Sequence, residues 1–153
     1  MSAAPAARAA LPTPAELEPA LDRALSHART RGAAQAEASV SVSQGLTVSV
    51  RKGEVESVEF QRDRELGITV YFGQRKGNAT TGDLSPAAIE SAVDAACAIA
   101  QATGEDPCNG LAEAALMARD FPDLDLDHPW ALSPDQAVDL ARECEAAALA
   151  VDA

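Results

Sequence analysis

The chain has few of the residues that most often build reactive centres. It has two histidines and three cysteines in 153 residues. His27 and His128 are far apart in sequence, and neither sits in an H-E-x-x-H helix or beside a Cys-x-x-Cys pair, so no metal site is expected from them. Cys97, Cys108 and Cys144 match no zinc spacing, and an odd count argues against a disulfide framework; a reducing cytoplasm is the simplest setting. Aromatic residues make up only 3%, which leaves Val, Ile, Leu and Ala to build the core. No apolar run approaches the roughly 20 residues of a membrane span. The opening "MSAAPAARAALPTPAE" has no continuous apolar segment, which excludes a secretory signal; residues 1–12 read as a disordered leader. Basic charge is also scarce where the chain is most acidic. Residues 1–77 carry ten Lys/Arg against nine Asp/Glu, and residues 78–153 carry two against fifteen, for a net charge of −12. Such an acidic second half repels phosphates, so nucleic acid is not an expected partner.

The residues that are present organise into one α+β domain over 13–153. Thr13 and Pro14 open a helix whose Leu17, Leu21, Leu25 and Ala28 repeat every three or four residues until Gly32. Val40, Val42, Leu46, Val48 and Val50 then take even positions, while Ser39, Ser41, Ser43, Thr47 and Ser49 take odd ones, as in a strand buried on one face. A turn at Lys52-Gly53 leads into a second strand through Val58 and Phe60. "QRDRE" reads as the next turn, and Leu66, Ile68, Val70 and Phe72 as the third strand. "GQRKGN" turns the chain into a short strand at Asn78–Thr81. Turns this short join antiparallel neighbours, so a four-stranded meander is expected. Its even-numbered residues should face helices and its odd-numbered ones solvent. The long Val40–Val50 strand should be central and Asn78–Thr81 an edge. Ser85 and Pro86 start a helix lined by Ile89, Val93, Cys97 and Ala100, which Gly104 ends. A loop with one helical turn near Ala112–Met117 follows, and then a helix capped by Ser133 with Gln136 three residues on. This helix meets no stop signal before the last residue, and the chain is expected to be the front part of a longer protein.

The candidate sites are weak individually. Asp123, Asp125 and Asp127 alternate as in the opening of a calcium loop, but His128 stands where that loop needs Gly and Pro134 where it needs Glu, so an acidic solvated loop is the better reading. Cys97 lies on an apolar helix face. Cys108 has no base near it in sequence, and His27 reads as solvated. Arg75 and Lys76 lie in a glycine-flanked turn without the Gly-Lys-Ser/Thr of a phosphate loop, which leaves a solvated turn or a contact with an anionic protein surface. No catalytic, cofactor-binding or metal residue is expected. The possible peptide or partner edge is Arg75, Lys76, Asn78, Ala79, Thr80 and Thr81, because a strand edge pairs with extended chains whatever their side chains.

In order along the chain, "VRKGEVESVEFQRDRELGITVYFGQRKGNATTGDLSPAAIESAVDAACAIA", "EDPCNGLAE" and "PDLDLDHP" together resemble the N-terminal domain of the TldD/PmbA metallopeptidase family, most closely its PmbA (TldE) branch. The resemblance covers residues 15–153. It implies a cytoplasmic system in which TldD-like and PmbA-like subunits pair as a heterodimer and process unfolded or modified peptides. It also implies that zinc belongs to the C-terminal domain of the TldD-like partner. No residue here matches that zinc motif, so the resemblance carries over no ligand. The expected role is a non-catalytic scaffold domain. Two readings stay open beside it: the N-terminal part of a catalytic TldD-like zinc peptidase, and a stand-alone peptide-binding module.

Overall fold

The computed structural model describes residues 10–126, 128 and 130–151, so most of the expected leader, and Asp127, lie outside the described residues. The element order is α1 (Pro14–Thr30), β1 (Gln35–Arg51), β2 (Glu54–Phe72), β3 (Arg75–Thr81), α2 (Pro86–Ala102) and α3 (Pro134–Leu149). The three strands form one sheet in the order β1-β2-β3. This is the expected α+β class with one strand fewer than expected. "QRDRE" does not turn: β2 runs unbroken through it. The segment contains no Gly, Pro or Asn to bend the backbone, and charged side chains are tolerated on an exposed strand, so polarity alone marked a turn wrongly. β1, expected to lie centrally, is an edge strand, as the first strand of a meander must be, and β2 is the central strand.

The chain divides into two compact units, and both long strands contribute to each. The first unit comprises Leu11–Val42 and Asp63–Phe121. Its core is the even face of β2 packed against two helices. Leu66, Ile68 and Val70 join Ile89, Val93, Ala96, Cys97 and Ala100 of α2 and Ala24 and Ala28 of α1. Each fully buried Leu, Ile or Val contributes about 1.5–3 kcal/mol, and the alanines contribute by letting backbones approach closely. Closest of all is β3, where Gly77 is buried beneath α2. A Cβ built there would collide with the carbonyl oxygen of Ala96 and the amide nitrogen of Ala100. The two helices are also tied at their outer edge. Arg23 Nη1 lies 2.8 Å from Glu90 Oε1, and Asp94 Oδ1 receives both His27 Nε2 at 2.7 Å and Arg31 Nε at 2.9 Å. His27 is therefore partnered rather than solvated.

The odd face of β2 is not simply solvated either. Tyr71 is 5% exposed, and the segment after α2 is pinned nearby. Asp106 N donates to the Gln74 carbonyl at 3.1 Å, Asn109 Nδ2 to the same carbonyl at 3.1 Å, and Leu111 N to Gln35 Oε1 at 3.1 Å. The expected helical turn near Ala112–Met117 is a single hydrogen-bonded turn, with Leu116 N donating to Glu113 O at 2.8 Å. The starts of α1 and α3 follow the sequence. Glu16 accepts from Thr13 N at 2.7 Å and Thr13 Oγ1 at 2.8 Å, and Ser133 and Gln136 form a reciprocal box. At α2, however, the Ser85 side chain makes no cap bond, and Asp83 Oδ1 instead accepts from Ser85 N at 2.8 Å.

Among the described residues, the second unit comprises Ala10, Ser43–Arg62 and those of 122–151. Lys52 and Gly53 both take left-handed φ values, 55° and 77°, which is the twist that a two-residue hairpin turn needs. In this part of β2 the even register fails, although Leu46, Val48 and Val50 of β1 are half-buried as expected. Val58 and Phe60 are 48% and 56% exposed, and no residue of α3 is buried.

Candidate functional site

β3 is an edge strand, and its register splits the expected site residues between two faces. Ile68 pairs with Ala79, Thr69 with Asn78, Val70 with Gly77 and Tyr71 with Lys76. Since side chains alternate along a strand, Gly77, Ala79 and Thr81 share the face of Ile68 and Val70, whereas Lys76, Asn78 and Thr80 share the open face of Thr69 and Tyr71. Ala79 is half-buried against the core; Lys76, Asn78 and Thr80 are exposed. Among the described residues, no backbone group of 76–80 is hydrogen-bonded outside its ladder with β2.

Arg75 turns back onto its own chain. Its Nε lies 3.5 Å from Glu105 Oε1, and its Nη1 donates to the Gln101 carbonyl at 3.5 Å, at the negative end of α2. Lys76 is left as the exposed cation of the turn.

Beside this edge, on the open face, lies a shallow cavity of about 200 Å³ lined by Glu37, Ser39, Gly67, Thr69, Asn78 and Thr80 with adjoining backbone. Gly67 makes the hollow. It lies in the central strand opposite Thr80, and a Cβ there would lie 3.4 Å from Ser39 Oγ. Glu37 Oε1 accepts from the Tyr71 hydroxyl at 3.0 Å. Burial, followed by this hydrogen bond and the neighbouring carboxylate, raises the Tyr71 phenol above its ordinary value. Hydroxyls, an amide and one carboxylate can hydrogen-bond an extended polar chain, but the set contains no paired nucleophile and base. Of the lining residues, only Asn78, Ala79 and Thr80 were among the residues expected from the sequence. A glycine inside the apolar run "LGITVYF" was the available signal for the others, because a strand glycine often marks a close approach.

The other candidates stay apart from this cavity. Cys97 is buried, and burial raises its thiol above the ordinary value. Cys108 is exposed, and its amide donates to Asp106 Oδ1 at 2.9 Å in a local turn. Asp125 N donates to Asp123 Oδ1 at 2.9 Å, a local turn within an exposed acidic loop. His128 is exposed in the other unit. Among the described residues, no three His, Cys, Asp or Glu side chains converge to hold a metal ion. No helix is long and apolar enough to cross a membrane among the described residues.

This combination of a helix-backed sheet and an open polar edge is a known type of domain. Residues 36–100 match the family model for PmbA/TldA metallopeptidase domain 1. The chain belongs to the TldD/PmbA family through this first domain, on its PmbA branch. It is 55% identical over 117 residues to Metalloprotease PmbA of Escherichia coli O157:H7, covering 76% of this chain and 26% of that protein. With a Metalloprotease PmbA homolog of Haemophilus influenzae it shares 52% identity over 123 residues, covering 80% and 27%. The crystal structure of TldE from Thermococcus kodakarensis has a TM-score of 0.65 at 19% identity, covering 87% of this chain and 30% of that one, a likeness of fold. The chain thus spans about a quarter of the length of the curated relatives it matches.

Proposed function

We propose that this chain acts as a non-catalytic N-terminal scaffold domain of a PmbA/TldE-like subunit. In this reading that subunit pairs with a TldD-like subunit in a cytoplasmic metallopeptidase that processes unfolded or modified peptides, and zinc is held by the TldD-like partner's C-terminal domain. The observation that carries the reading is the 55% identity to a PmbA metalloprotease over 117 residues, taken with the absence of a converging ligand set among the described residues. The domain's contribution to substrate handling is the edge of β3. Lys76, Asn78 and Thr80 border a polar hollow, and the backbone from 76 to 80 pairs only with β2 among the described residues. Such an edge accepts extended chains through main-chain hydrogen bonds, which suits substrates of varied sequence, and it serves equally as the rim of a subunit contact.

The test uses the full-length protein that contains this domain, co-purified with a TldD-like subunit. The double substitution Asn78→Lys and Thr80→Lys puts charge on the open face without touching the core side. Slower turnover of an unfolded peptide, or weaker pairing, with an unchanged circular dichroism spectrum is expected. Unchanged turnover together with unchanged pairing removes β3 from the proposed path. One tightly held zinc per 153-residue chain after dialysis would overturn the non-catalytic reading.

A further inference from the structure

The second unit contains a contact with no part in the edge just described. Glu145 of α3 grips the hairpin turn with both carboxylate oxygens. Oε1 accepts from Lys52 N at 2.5 Å and Oε2 from Gly53 N at 2.6 Å, while Arg142, one helical turn earlier, donates from Nε to the Gly53 carbonyl at 3.1 Å. A left-handed turn points successive amides toward one spot, and such a pair is a natural cradle for an anion. Here the anion is supplied from within the chain. Lys52 adopts φ 55° without the benefit of a glycine, a conformation that side-chain-bearing residues rarely adopt. The carboxylate on its amide offsets that strain.

The rest of α3 adds little to this grip. Of the residues that turn half inward, Ala137, Val138, Ala141 and Glu145 itself, Val138 alone is an apolar side chain larger than alanine, and none is buried. By contrast Leu140, Cys144, Ala147 and Val151 form an exposed apolar stripe at i, i+4, i+7 and i+11. A helix packed as core would show the opposite distribution. We infer that α3 is a displaceable strap, latched over the hairpin turn by Glu145 and Arg142, which opens without unfolding the α1–α2–sheet core. The buried core cluster supports the separation, since it contains no residue from Ser43–Arg62 or from α3. Local openings of this kind are expected where polar contacts replace apolar burial.

Amide hydrogen exchange on the whole 153-residue chain tests the strap residue by residue. Glu145→Gln removes the charge and one acceptor at nearly constant shape, and should speed exchange at Lys52 and Gly53 about tenfold or more, with faster exchange along α3. Arg142→Ala should loosen the same amides to a smaller extent. Glu143→Gln, an exposed acid on the same helix, should leave them unchanged. In all three variants the amides of residues 66–72 should keep wild-type protection. Unchanged exchange at Lys52 and Gly53 in Glu145→Gln would overturn the latch. Equal acceleration at 66–72 would show that α3 opens only with the whole fold, and would overturn the strap.

Discussion

Replacing Gly77 with alanine adds one methyl group at the point where α2 and β3 touch. Gly77 has no left-handed φ, so alanine loses nothing in backbone conformation and the cost is steric. The new Cβ would press on the Ala96 carbonyl oxygen and the Ala100 amide nitrogen, and would lie 3.0 Å from Ala100 Cα. All three are backbone atoms, so no side-chain rotation relieves the clash. Either α2 lifts off the sheet or β3 shifts outward, and each movement opens the contacts of Val93, Ala96 and Ala100. The expected loss lies at or above the top of the usual overpacking range, about 3 kcal/mol. With a urea slope of about 1–3 kcal/mol/M, that lowers the unfolding midpoint by about 1–3 M. Circular dichroism at the helix band is the assay, since three of the six elements are helices. Two controls isolate the mechanism. Gly45→Ala has no atom within 4 Å of the new methyl and no unusual φ, and should change stability by less than about 0.5 kcal/mol. Gly73→Ala is equally open in space but has φ +61°, and should cost about 1 kcal/mol from conformation alone. If Gly77→Ala proves no worse than Gly73→Ala, α2 does not rest on β3 backbone-to-backbone and the reasoning fails.

Three further outcomes follow from the same geometry. Ile68→Ala, at a site only 1% exposed, should cost about 2–5 kcal/mol, whereas Thr69→Ala, half-exposed beside the hollow, should stay within about 1 kcal/mol; equal losses in urea melts would contradict the one-sided core. Tyr71 is the only tyrosine, so absorbance titration reads it alone. Its midpoint should lie above the ordinary 10.0 in the folded chain, return to about that value in urea, and fall toward it in Glu37→Gln. Because folded Tyr71 holds its proton more tightly, its contribution to stability is complete below pH 10.0 and is lost as pH rises through the folded value. Asp94→Asn, which weakens the anchors of both His27 and Arg31 in a partly exposed setting, should cost about 1 kcal/mol and leave the sheet intact by circular dichroism.

Local chemistry makes much of this protein legible in its sequence. Proline at the first helical position marks α1, α2 and α3, and a cap box marks both Thr13 and Ser133, because these signals act within four residues of chain. The even positions 66, 68 and 70 show their burial because strand period is a property of the backbone itself. Polarity misleads at "QRDRE", where an exposed strand and a turn tolerate the same residues. The site is half visible: "NATT" announces a small polar strand, and the phrases from Val50 onward carry the family resemblance. Only tertiary structure decided that β2 is central, that Gly67 and Glu37 complete the hollow beside Asn78 and Thr80, and that His27 meets Asp94 from another helix. The same holds for Glu145 reaching a turn 92 residues earlier in the chain. These facts depend on which distant segments meet, and a contact between distant segments leaves no periodicity in either one; periodic and capping signals record only what the chain does with its near neighbours.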